Sequence, residues 1–116
     1  MSDKRSVGIE ITNAKGVFES FTSSSVFCRD RKKVSFQIRK DLSDGATSEV
    51  EGTLYLEATN NKENWIKVED SEVSVNGKND FLIEFIDPSA TYYRVKFDIS
   101  GSEGTQESDF KIWINK

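Results

Sequence analysis

The chain has 116 residues, 35% hydrophobic and 31% charged, with a formal net charge of −4 at pH 7, which suits one domain and argues against a generic binder of phosphate backbones. Eight Phe, three Tyr and two Trp are too many for a disordered chain and imply a thin, aromatic-rich core. The absence of His and the single Cys exclude imidazole bases, Ser-His triads, intrachain disulfides and thiolate zinc sites.

Residues 1–6 are polar and are expected to form a flexible arm before a single domain spanning 7–116. Weak strand candidates follow at Val7–Ile11, Val17–Phe21 and Val26–Phe27, with the small polar stretch Ser20–Ser25 between them. From Val34 to Arg39 apolar and polar residues alternate without a break, as in a strand with one buried face. Leu54, Leu56 and Ala58 share one face of the next strand. One helical turn is expected around Asn61–Trp65, with Trp65 as a core anchor. Trp65–Val68 and Val73–Val75 are further weak strands. Phe81–Ile86 is apolar on both faces at most positions, which predicts a strand inside a sheet or covered on both sides. Tyr93–Ile99 is the longest alternating run and turns Arg94, Lys96 and Asp98 to water. Phe110, Ile112 and Ile114 form the inward face of the last strand.

Turn signals agree with this spacing. Asp44-Gly45, Asn76-Gly77 and Gly101–Gly104 separate strand candidates, and Pro88 ends the Phe81 strand. Gly101–Ser108 reads as a long hairpin tip. The expected fold is an all-β antiparallel sandwich of about seven to nine strands, either jelly-roll or immunoglobulin-like in order.

Little in the chain points to catalysis. Ser100–Gly104 lacks the Gly-x-Ser-x-Gly spacing, and no base is at hand to activate a hydroxyl. Cys28 lies beside Arg29 and Arg31 but is read as a buried thiol. Asp41–Gly45 and Asp70–Glu72 carry calcium-type oxygens without a full loop motif, so no metal and no cofactor are expected. The protein is therefore expected not to be an enzyme. No apolar run approaches the roughly 20 residues of a membrane span, and the charged start Met1–Arg5 has no apolar stretch behind it. Neither membrane nor nucleic acid is an expected partner, and a lone thiol suits a reducing cytoplasm.

Contact residues are more legible. Arg29–Lys33 holds four cations and one anion, whereas Asp98–Asp109 holds four acids and no base. These segments suggest complementary patches for packing of copies or partners. Arg29, Arg31, Lys32 and Lys33 are the first contact candidates. Tyr92 and Arg94 share a strand face with Lys96, next to which Tyr55 is expected. Trp113, opposite the Phe110 face, is an aromatic anchor for a protein partner or, alternatively, a platform for a host-surface glycan.

From Gly52 onward the order of motifs carries a resemblance. Gly52-Thr-Leu-Tyr-Leu, Asn64-Trp65, Tyr92-Tyr-Arg-Val-Lys-Phe97, Ser100-Gly101 and Ile112-Trp-Ile114 follow one another. This succession resembles small β-sandwich proteins encoded among the virion genes of tailed bacteriophages. The resemblance implies a non-catalytic structural or accessory virion component: capsid decoration, neck, tail or fibre-associated part. It also implies assembly in the host cytoplasm and partners among other virion proteins or further copies of the chain, as a homo-oligomer.

Overall fold

The computed structural model describes residues 8–29, 31–77, 79–86, 88–101 and 106–116. The expected arm over residues 1–6 lies outside this set. Among the described residues ten strands form: β1 (Ile9–Val17), β2 (Phe21–Thr22), β3 (Val26–Phe27), β4 (Lys33–Leu42), β5 (Glu51–Thr59), β6 (Ile66–Lys67), β7 (Val73–Ser74), β8 (Asp80–Ile86), β9 (Tyr92–Gly101) and β10 (Ser108–Asn115). Four of them have only two residues, which is why the count exceeds the seven to nine expected.

The pairings among these ten strands are all antiparallel and make two sheets. One runs β1-β10-β4-β8; the other runs β2-β9-β5-β6, with β3 also on β9 and β7 also on β5. β2 and β3 pair with successive stretches of β9 and act as one interrupted edge strand. β6 and β7 do the same along β5. Counted this way, eight strands fall into two sheets of four, with first beside last, second beside seventh, third beside sixth and fourth beside fifth. The strand nesting is that of a jelly roll, and the alternative between jelly-roll and immunoglobulin-like order is thereby settled.

The alternation read from the sequence forms the core. Val34, Phe36 and Ile38 of β4 and Phe110, Ile112 and Ile114 of β10 face inward from one sheet, and Leu54, Leu56, Tyr93, Val95 and Phe97 from the other. Phe21, Phe97 and Phe110 tie the sheets together, with ring centroids 5.0–5.9 Å apart. Such tilted aromatic contacts add to the burial of their large apolar surfaces. Gly45 and Gly77 take φ of 84° and 76° in the turns the sequence marked. Gly52 has a different reason to be glycine. A Cβ there would lie 2.2 Å from the Asp98 carbonyl oxygen, so only a bare backbone lets β5 approach β9 at this register shift.

Five expectations are corrected. β8 is an edge strand, and Leu82 at its middle is 58% exposed, because its outward face meets no further layer. The apolar run reflects burial of Phe81 and Ile83 only, among the side chains described. Val17 ends β1, and Phe18–Ser20 is loop instead of strand. No helical turn forms at Asn61–Trp65. The Thr59 hydroxyl accepts from the amides of Asn61 and Lys62, and the Asn61 carboxamide oxygen from those of Glu63 and Asn64, so side chains replace helical carbonyls. Trp65 is not in the core; its ring lies on the outer face, 3.9 Å from the Arg94 guanidinium carbon. Finally, β9 and β10 belong to different sheets and do not pair as the hairpin expected across Gly101–Ser108, of which residues 102–105 lie outside the described set.

Candidate interaction site

The jelly-roll order sends alternate loops to opposite ends of the sandwich. One end gathers the β3–β4 loop (residues 28–32), the β5–β6 loop (60–65), the β8–β9 segment (88–91) and Lys116. These loops are stapled together. The Asn60 carboxamide oxygen accepts from the Thr91 amide at 2.9 Å and its hydroxyl at 3.2 Å. The Cys28 amide donates to the Thr91 carbonyl at 2.8 Å. The Tyr93 hydroxyl accepts from the amides of Ser89 and Ala90, both at 3.1 Å. The Lys116 ammonium donates to the Phe27 carbonyl at 2.5 Å.

Arg29 and Arg31 open from this frame onto a polar groove of about 520 Å³, shared with Asn60, Ser89 and Thr91. Both arginines and Lys32 are exposed, and among the described residues none of the three has an ion-pair partner. A second open groove of about 450 Å³ adjoins the first and shares Asn60, Ser89 and Ala90 with it. Its wall is more apolar, with Ala58, Val68, Tyr93 and Ile66, the last 71% exposed. Phe27, also exposed, stands edge-on to Tyr92 at 5.6 Å. Unpaired guanidinium groups beside exposed apolar side chains make a surface suited to an acidic macromolecular partner. Cys28 sits beneath it, fully buried; burial pushes its thiol upward, against the opposing charges of Lys116 and Arg31. That is the inert thiol expected from the sequence.

The remaining candidates are engaged by other side chains or lie elsewhere. Lys33 pairs with Glu84 at 3.5 Å. Arg94 is held by Glu57 at 2.7 Å and covers the Trp65 ring. Tyr92 lies under the Lys62 ammonium at 4.5 Å. Tyr55 does pair with Lys96 across β5 and β9; it donates to Asp98 at 2.9 Å and lies beneath Lys67. Burial first and then this carboxylate push the Tyr55 phenol up to about 12. The aromatic and cationic side chains of this face therefore already engage one another. Trp113 is half-buried on the outer face of the other sheet, beside an open groove of about 250 Å³ with Asn13, Arg39, Asp41 and Lys111.

The opposite end is acidic. Glu19, Asp44, Glu51 and Glu107 lie there, none with an ion-pair partner among the described residues, together with the exposed Phe18 and Leu42. Its interior is a polar network that sequence reading did not find. Lys40, 3% exposed, donates to the carbonyls of Val50 at 3.3 Å and Val75 at 3.1 Å and pairs with Glu49 at 3.5 Å. Its position in the Val34, Phe36, Ile38 series was the available signal. Asp109 accepts from the Ser43 hydroxyl at 2.6 Å and the Gly16 amide at 2.8 Å, and these bonds hold its carboxyl below the usual range.

A lowered folded pKa stabilises the fold fully above the ordinary carboxylate range and is lost as pH falls through the folded value. Below about pH 4, the urea midpoint of the wild type is expected to fall more steeply than that of Asp109→Asn. Parallel profiles would show that Asp109 carries no such linkage. Among the described residues no group of three or more Cys, Asp or Glu side chains is placed to hold a metal ion, and no helix is long and apolar enough to cross a membrane.

No family model matches the chain, and no curated protein matches it. Among solved structures it is similar to the SPBc2 prophage-derived protein YomS, known from a crystal structure. The two share 10% sequence identity over 89% of this chain and 91% of that one, with a TM-score of 0.48.

Proposed function

We propose that the protein is a non-catalytic structural or accessory component of a tailed-bacteriophage virion that works by protein–protein assembly. The observation that carries this reading is the basic loop end. Arg29, Arg31 and Lys32 stand unpaired among the described residues on a stapled frame, next to exposed Ile66 and Phe27. Preorganised loops lower the ordering cost of docking, and cations with an apolar neighbour favour a protein partner. The motif order from Gly52 to Trp113 supports the same reading through its resemblance to small virion sandwich proteins. Its position as capsid decoration, neck, tail or fibre-associated part is left to experiment. Particles purified on a density gradient from cells producing the phage should contain this chain by mass spectrometry. Recovery only in the free fraction would overturn the proposal.

A second reading, a carbohydrate-binding or adhesive module, is favoured by one observation: Trp113 beside polar side chains on an open sheet face. Under that reading Trp113→Ala removes glycan-array binding and leaves the melting temperature nearly unchanged.

A further inference from the structure

The two loop ends differ in sign. Among the described residues one presents Arg29, Arg31, Lys32, Lys62 and Lys116 against the single acid Glu63, with exposed Phe27 and Ile66; the other presents Glu19, Asp44, Glu51 and Glu107, with exposed Phe18 and Leu42. In sequence these residues are scattered over most of the chain. The fold sorts them, because each strand crosses the sandwich and each loop therefore returns to one end or the other.

We propose that copies of this chain stack end on end, the basic end of one seated against the acidic end of the next. The proposal rests on the assembly reading and names the partner: a second copy. Three features support it. The charges are complementary and, among the described residues, not neutralised by ion pairs within the chain. Each end adds apolar side chains that water would otherwise cover. Three of the four sheet edges are unsuited to side-by-side pairing: β2/β3 and β6/β7 are interrupted, and β1 carries two register shifts. A head-to-tail contact uses two different surfaces, so it propagates into a ring or an open stack.

The test is sedimentation of the full chain across salt and protein concentration, with charge-reversed pairs checked for folding by circular dichroism. Self-association is expected to weaken by about tenfold or more between about 0.01 M and 1 M salt, as the screening length drops from about 30 Å to about 3 Å. Arg29→Glu with Arg31→Glu cancels the charge of the basic end and leaves the acidic end intact; Asp44→Lys with Glu51→Lys cancels that of the acidic end and leaves the basic end intact. Each double variant alone should remain monomeric, and an equimolar mixture should recover one-to-one complexes through the two intact ends. A wild type monomeric at every salt concentration, or a mixture that fails to associate, overturns end-on stacking. If such a chain is still found in purified particles, stacking alone has failed and the assembly reading stands. If it is absent from particles as well, both have failed.

Discussion

Lys40→Ala is expected to lower the unfolding free energy by about 3–5 kcal/mol, among the largest effects of any single change in this protein. The ammonium is the donor for the Val50 and Val75 carbonyls and the partner of Glu49, at a site with almost no access to water. Alanine removes the donor and leaves two carbonyls and a carboxylate without it, and it empties the space of the stem. Lys40→Met separates these causes. It keeps most of the stem and loses the donor, so its cost should be smaller, about 1–3 kcal/mol. Urea denaturation of the three chains at neutral pH gives the ordering. A loss below about 1 kcal/mol for alanine would mean that the carbonyls find water instead and that the network is not structural.

Phe97→Ala is the second. The Phe97 ring is fully buried and contacts Phe21 within its own sheet and Phe110 across the sandwich, with centroids 5.9 and 5.0 Å away. Truncation removes apolar contact from both sheets at once, and the cavity is walled by β-strands that cannot close on it without breaking their pairing. A cost of about 3–5 kcal/mol is expected, together with a fall in melting temperature of at least about 10 °C. Phe97→Leu refills much of the volume and should cost clearly less. Equal losses for leucine and alanine would point to ring–ring geometry, not volume, as the dominant effect. Neither substitution touches the loop ends, so the salt dependence of any self-association should persist in variants that still fold.

The proposed stacking and these stability effects occupy different parts of one architecture. The core residues come from the strands, and the charged ends come from the loops that the strands return. Lys40 lies between the two roles: it belongs to the inward series of β4 by position but closes the acidic end by charge. That placement lets a buried cation offset part of the acidic charge there, while Glu19, Asp44 and Glu51 remain exposed.

Local patterning was enough for much of this. An unbroken period of two over Val34–Arg39, Tyr93–Ile99 and Phe110–Ile114 dictates strands with one buried face, since successive side chains of an extended chain point to opposite sides. The same parity put Tyr55 and Lys96 on one surface, and turn residues at Gly45 and Gly77 marked where chain reversal needs positive φ. Only the tertiary structure could decide which strands are neighbours. Pairing energy depends on partners far away in the chain, and alternation says nothing of whether β8 is central or at an edge. Trp65 was misplaced for the same reason: an aromatic side chain gains from a cation across β5 and β9 as it does from a core, and the sequence around it does not distinguish the two. The charged ends are the clearest case. Arg29–Lys33 and the acids before Asp109 were visible as runs, but Glu19, Asp44 and Glu51 joined the acidic set only once the jelly-roll order brought their loops to one end, because opposition of two surfaces is a property of strand direction and not of composition.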